Sequence, residues 1–198
     1  ASKRIDKLTF ALLDKAGAEI GEMLRHNAKL KLSFNVTPDQ LLDPLFIEHF
    51  VAKISQANLN PSQLVIEITE RQPISDIQAA LRVSRELSEL GVRLALDDAG
   101  TGHNGLSSLH ALQAHYLKID KYFVDGVVLD RKSSALVEAL ISFAKQFGME
   151  VVAEGIETEE QRIKLLDLGI REGQGYLFAK PLSASDLIAR AEQNPSLM

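Results

Sequence analysis

Short apolar runs alternate along this chain with segments whose apolar positions recur every three or four residues. Ile5–Leu24 has the longer period and reads as an amphipathic helix. Leu30–Val36 reads as a strand. Leu45–Ala57 is helical, with Phe46, Ile47, Phe50, Val51 and Ile54 on one face. Leu64–Thr69 is a strand, and Ile74–Leu90 a helix stopped by Gly91. Val92–Asp97 is a strand, Leu106–Leu112 a short helix and Tyr116–Ile119 a strand. Ser133–Phe147 is a helix with Gly148 as its stop, and Glu150–Ala153 a strand. Thr158–Leu168 is a helix in which Thr158 and Gln161 have the spacing of a capping box. Gly175–Phe178 reads as the last strand and Ser183–Glu192 as the last helix.

Six strands, each followed by a helix, imply a parallel sheet of the α/β class. Runs such as Leu64-Val-Ile-Glu-Ile68 are mostly apolar, as expected when both faces of a sheet are covered. A doubly wound sheet and a (β/α)8 barrel both fit. A barrel typically takes about 250 residues and eight strands. At 198 residues the chain would be roughly 50 residues and two strands short of that size, with the deficit at the N-terminus.

The composition, 45% hydrophobic and 25% charged, is that of one ordinary globular core, so residues 1–198 read as a single domain. No apolar run approaches the roughly 20 residues that span a bilayer, and no secretory signal is visible at Ala1. The absence of cysteine excludes a disulfide framework and a thiolate metal site, and suits a cytoplasmic protein. A net charge of −5 offers no electrostatic footprint for duplex nucleic acid, so an anionic substrate would need local cations.

The chemistry gathers at the C-terminal ends of the strands. Leu94-Ala-Leu-Asp97-Asp98-Ala-Gly-Thr-Gly102 is an apolar run ending in two adjacent carboxylates and a glycine-rich turn. Two neighbouring acids stay charged cheaply only beside a cation. Asn35 ends the first strand, Glu67 and Glu70 the second, Lys118 and Asp120 the fourth; Glu154 and Glu157 follow the fifth, and Gln174 precedes the last. Barrel active sites are built from this end of the strands. Taken singly, Glu67 reads better as an outward strand residue and Lys118 as a snorkelling surface amine. Together, the carboxylates and the Asn amide are hard oxygen ligands suited to Mg²⁺ or Mn²⁺. An aspartate shared by two ions would make a site for in-line phosphoryl displacement, with Lys118 a point charge near the attacking water or the phosphoryl oxygens. The histidines form no zinc pattern, and His103, His110 and His115 read as surface or supporting groups.

Ser33-Phe-Asn35-Val-Thr37, Glu67-Ile-Thr-Glu70, Leu96-Asp-Asp-Ala-Gly-Thr-Gly102, Leu117-Lys-Ile-Asp120, Val152-Ala-Glu-Gly-Ile-Glu157, and Gly173-Gln-Gly-Tyr-Leu-Phe178 with Pro181 occur in that order. In this the chain resembles the EAL-domain family, which hydrolyses the bacterial messenger cyclic di-GMP. The resemblance covers nearly the whole chain. It implies a (β/α)8 barrel variant whose first strand runs antiparallel, and hydrolysis of cyclic di-GMP to linear pGpG with two ions, Mg²⁺ or Mn²⁺. It implies that Asn35, Glu67 and Asp97 hold one ion, and that Asp97 and Asp98 hold the second with Glu154 contributing. Lys118 would orient the nucleophilic water, and Asp120 and Gln174 would support the water and the substrate. Glu70 would brace the loop after Asp98, which the family uses for metal assembly and dimer contacts, and Glu157, beside Glu154, and Pro181 would be substrate-binding or supporting residues.

Two departures stand out. Where the family's loop usually carries an aromatic residue and a tyrosine, this chain has Ala99 and His103, which bears on loop regulation more than on ligation. The Glu-Ala-Leu motif that names the family belongs upstream of the Ile5–Leu24 helix and is absent there. The resemblance makes its Glu a metal ligand and a following Arg a phosphate contact. Ala1 in place of Met suggests an incompletely represented chain. A molecule truly starting at Ala1 would lack the first strands and is expected to be a poor catalyst or none. The alternatives are a non-catalytic EAL-like module that binds cyclic di-GMP or a protein partner, and an enolase-type metal-dependent barrel enzyme. The expected site of action is the cytoplasm, with any membrane tether in other regions of a parent protein.

Overall fold

The computed structural model describes residues 2–69, 73–99 and 112–193. Among them the helices are α1 (Ser2–His26), α2 (Pro38–Leu41), α3 (Pro44–Gln56), α4 (Ile77–Glu89), α5 (Lys121–Gly126), α6 (Arg131–Gln146), α7 (Glu159–Asp167) and α8 (Ala184–Gln193). The strands are β1 (Leu32–Asn35), β2 (Leu64–Thr69), β3 (Arg93–Ala99), β4 (Tyr116–Ile119), β5 (Glu150–Ala153) and β6 (Glu172–Gly173), and they stand in that order in one sheet. The pairs β1–β2, β3–β4, β4–β5 and β5–β6 are all parallel, as the repeated strand–helix pattern predicts. Among the described residues, no helix is long and apolar enough to cross a membrane.

Side-chain caps fix where several helices begin, because the first backbone N–H groups of a helix need an outside acceptor. Asp43 accepts from Leu45 N, Asp120 from Tyr122 N, and Asp130 from Lys132 N and Ser133 N. The predicted capping box is present: Thr158 accepts from Gln161 N while the Gln161 side chain takes the Thr158 N–H. Asp76 accepts from Ala79 N at 2.9 Å, which starts α4 at Ile77 and not at Ile74 as the periodicity predicts. The short helices α2 and α5 escape the sequence reading because one or two turns give no measurable period. The predicted helix Leu106–Leu112 lies outside the described residues except for Leu112, which sits in a turn.

One expected strand is not a strand. Gly175–Phe178 forms a turn, and the sixth strand is the two-residue segment Glu172–Gly173 just before it. The cause is a close chain crossing. A Cβ on Gly175, whose φ is +158°, would lie 2.1 Å from Ile156 O and 2.3 Å from Ile156 N. Leu177 N donates to Ile156 O, and Phe178 N donates back to Gly175 O. Tyr176 and Phe178, apolar enough to mimic a strand, are left exposed.

The tripeptide Glu138-Ala139-Leu140 does occur, but inside α6. Leu140 is buried there, while Glu138 accepts a hydrogen bond from Ser134 Oγ on the exposed face. It is a helix-surface acid and not a strand-end ligand.

The chain divides into two compact units. The first comprises Ala1–Glu67, Ile74–Arg93 and Pro181–Met198; the second comprises Ile68–Pro73 and Leu94–Lys180. In the first, Phe10 stacks on Phe46 at 5.2 Å and Phe46 on Phe50 at 6.1 Å, with Leu13, Leu41 and Leu64 fully buried beside that row's elements. The second is built on Leu94, Leu117, Ile119, Val124, Val137 and Leu165. Each such side chain contributes about 1.5–3 kcal/mol through removal from water.

A pH-dependent contribution is expected from the α6 cap. The Ser133 hydroxyl, and then the Lys132 and Ser133 N–H groups, hold the Asp130 carboxyl below the usual range. Its folded-state pKa is therefore lower than its unfolded one. The stabilisation is complete above the ordinary aspartate range and is lost as pH falls through the folded value. Asp130→Ala should lower Tm at about pH 7, and the gap from the parent should narrow toward about pH 2. A gap that stayed constant across thermal melts in that range would contradict this account.

Candidate active site

Side chains on a regular strand alternate between faces, so Asp97 and Asp98 should point apart. The end of β3 is not regular. Its register against β4 shifts between Leu96 and Ala99, and Asp98 has φ of +59°. The left-handed conformation is one that Asp tolerates better than most residues, and a bulge of this kind re-aims side chains. As a result, one carboxylate oxygen each from Asp97, Asp98 and Glu154 lie within 4.8 Å of one another. Thr69 Oγ1, at the end of β2, donates to Asp98 Oδ2 at 3.3 Å.

Lys118 supplies the cation. Its Nζ lies 2.6 Å from Glu154 Oε1 and 3.2 Å from Asp97 Oδ1, and its side chain is only 7% exposed. A snorkelling surface amine is thereby ruled out. Glu154 is placed by the parallel β4–β5 register and by its own N–H, which donates to Ile119 O. Gln174 Nε2 donates to the same Glu154 Oε1 at 2.6 Å. Gln174 is itself held by its backbone, its N–H on Ala153 O and its carbonyl accepting from Ile156 N.

The cluster gathers like charges at short range. Two carboxylates 4.8 Å apart repel by about 3–4 kcal/mol at an effective dielectric near 20. Lys118 offsets part of that, its ammonium meeting both Asp97 and Glu154. Asp97 Oδ1 is buried and makes no hydrogen bond, since Lys118 Nζ approaches it without hydrogen-bond alignment. Two oxygens on one ion, at about 2.0–2.6 Å each, can be no more than about 4–5 Å apart. The oxygens of Asp97, Asp98 and Glu154 therefore fit a shared divalent cation in both spacing and hardness.

The other predicted residues fall as follows. Asn35 and Glu67 are register partners at the ends of β1 and β2 in the first unit, Glu67 buried and Asn35 exposed; Val36 N donates to Glu67 O there. Asp120 accepts from Tyr122 N as the cap of α5. Glu157 pairs with Lys121 at 2.9 Å. Pro181 is exposed in the segment leading to α8. Glu70, Gly100–Gly102, His103 and His110 lie outside the described residues. Thr69 and Lys121 were not singled out by the sequence, where a threonine ending a strand and a lysine opening a helix carry no signal.

Comparison with known proteins matches this arrangement to one family. A family model described as EAL domain matches residues 2–181. The cyclic di-GMP phosphodiesterase RocR of Pseudomonas aeruginosa is 33% identical over 178 residues, 90% of this chain and 45% of RocR. The chain thus spans less than half the length of that curated relative. The crystal structure of the EAL domain of Mycobacterium smegmatis DcpA superposes with a TM-score of 0.85 at 34% identity, covering 91% of this chain and 82% of that one. A manganese and cyclic di-GMP complex of Klebsiella pneumoniae BlrP1 superposes with a TM-score of 0.80 at 31% identity, covering 91% of this chain and 46% of that one.

Lys118→Met should destabilise the metal-free protein by about 2–4 kcal/mol, because it takes the ammonium away from the half-buried carboxylates of Asp97 and Glu154. Added Mn²⁺ should recover part of that loss. Urea denaturation with and without the ion measures both effects, and an unchanged midpoint in Lys118→Met would contradict the charge balance described.

Proposed function

The chain belongs to the EAL-domain family, and on that premise we propose that it is a cyclic di-GMP phosphodiesterase that opens the cyclic dinucleotide to linear pGpG. The observation that carries this reading is the convergence of Asp97, Asp98 and Glu154 around a buried Lys118. The relative RocR carries the same activity in its name, and BlrP1 has been solved with cyclic di-GMP and manganese. The family match runs through both compact units, which supports treating them as one EAL domain.

In this reading Asp97 and Asp98 hold one divalent ion, Mg²⁺ or Mn²⁺, with Glu154. The family pattern gives Asn35, Glu67 and Asp97 to a second. Divalent cations bound by these residues would acidify the attacking water and neutralise charge on the phosphoryl oxygens. Lys118 orients the water through its ammonium, which also pairs with Glu154. Glu154 takes a proton from the water as the new P–O bond forms; the bond to the ribose oxygen breaks, and that oxygen leaves as a hydroxyl with a proton from solvent. Gln174 holds Glu154 in place by the hydrogen bond between their side chains. Asp120 fixes the start of α5 next to Lys118. Glu70 is assigned to brace the loop after Asp98, and that loop to a homodimer contact; Pro181 follows the substrate-side turn. The reaction belongs to the cytoplasm, where a diffusible nucleotide messenger acts.

Glu154→Gln should lower kcat by about 10²–10⁴, the range of a general base, while cyclic di-GMP still binds. Lys118→Ala should behave alike. Hydrolysis is followed by chromatography of pGpG with Mg²⁺ or Mn²⁺, and binding by calorimetry. A parent protein that binds cyclic di-GMP without cleaving it would replace this reading with that of a binding module.

A further inference from the structure

The loop after Glu154 is tied down by contacts that the chemistry above does not use. Gly155 has φ of +69°, and a Cβ there would lie 2.5–2.7 Å from Cβ, Cγ and Cδ of Lys121. The Lys121 stem is therefore pressed against the loop backbone. Its ammonium then reaches Glu157 Oε1 at 2.9 Å and Asp125 Oδ1 at 2.7 Å. Asp125 lies on Lys121's own helix, α5, four residues on, whereas Glu157 lies on the loop. Beyond it, Glu157 N donates to Gln161 Oε1 at 2.7 Å, which joins the loop to α7.

Building on the role given to Glu154, we propose that Lys121 and Glu157 form a strut that positions the Glu154 loop, with Gly155 as the residue that allows the stem to pack. Glu157 is then a positioning residue and not a metal ligand. The carboxylate of Glu154 already has Lys118 and Gln174 at 2.6 Å on one oxygen. A small displacement of its backbone would break both contacts together. Groups that orient a ligand in this way typically change metal affinity or activity by about 10–100-fold when removed.

Amide exchange in the metal-free protein, read by NMR, tests the strut without any ion. The reporters are Glu154 N–H, bonded to Ile119 O, and Ile156 N–H, bonded to Gln174 O. Glu157→Gln and Lys121→Met should accelerate their exchange by about threefold to fivefold, the upper range for an exposed ion pair. Asp125→Asn removes an equally exposed partner of Lys121 that is not on the loop, and should leave both rates unchanged. Lys121→Arg keeps the cation and should restore the parent rate. Gly155→Ala should accelerate exchange by about tenfold or more, through both the positive φ and the steric clash. Mn²⁺ titration of Glu157→Gln should show weaker binding, and Asp125→Asn should not. Unchanged exchange in Glu157→Gln, or equal acceleration in Asp125→Asn, would overturn the strut. If the parent protein neither binds Mn²⁺ nor cleaves cyclic di-GMP, the phosphodiesterase reading fails while the exchange data still decide the strut.

Discussion

The carboxylate of Asp98 can join that of Asp97 only because the strand carrying both gives up its regular geometry one residue before its end. In a flat parallel strand the two side chains would face opposite sides, one toward helices and one toward the sheet's other face. The left-handed turn at Asp98 and the slipped register between Leu96 and Ala99 cancel that alternation. Such a conformation costs on the order of 1–3 kcal/mol and is held by its surroundings. Here Thr69 grips Asp98 from the neighbouring strand end, while the interior residues Leu94, Ala95 and Leu96 anchor the strand below. The strain is local, and it concentrates negative charge at one point.

Concentrated charge then dictates what stands next to it. Lys118 is buried on a strand with no other polar residue but Tyr116, a position where an unpaired ammonium would be costly. It is stable because Asp97 and Glu154 meet it within 3.2 Å. The parallel register sets Lys118 beside Val152, so that the residues just beyond β5 arrive at the level of the lysine head. Sheet register and charge pairing are thus two sides of one arrangement. Sliding β5 by one residue would move Glu154 off Lys118 and remove the closer of that lysine's two carboxylate contacts.

Much of this was legible from the chain alone, for identifiable reasons. Strands Leu64–Thr69, Tyr116–Ile119 and Glu150–Ala153 match residue for residue; the first two are buried along almost their whole length and read as apolar runs, and the third, exposed at Glu150, reads from its Val-Val-Ala core between two helices. The Thr158–Gln161 box was readable because capping depends on a fixed short spacing. Gly175–Phe178 misled because its aromatic residues imitate a strand, whereas its shape is set by a contact with Ile156 nineteen positions earlier in the numbering of the two residues. The conformation of Asp98 was equally out of reach, for no local pattern marks a bulge at a non-glycine residue. Sequence brought the acids together by type; the backbone decides which oxygens meet.

The segments after β4 and β5 carry the same spacing twice. Lys118 and Lys121 are three residues apart, Glu154 and Glu157 are three residues apart, and each lysine pairs with the corresponding glutamate, at 2.6 Å and 2.9 Å. The two pairs are chemically identical and differ in surroundings. The inner pair has side chains 7% and 16% exposed, the outer pair 45% and 45%. In the inner one, desolvation makes every electrostatic contact strong, so a proton or an ion placed there responds steeply to its neighbours. In the outer one, water screens the attraction to a fraction of that strength, and what survives is geometry. The same two side chains at the same spacing thus meet opposite electrostatic conditions, and what separates them is the depth at which each rung lies.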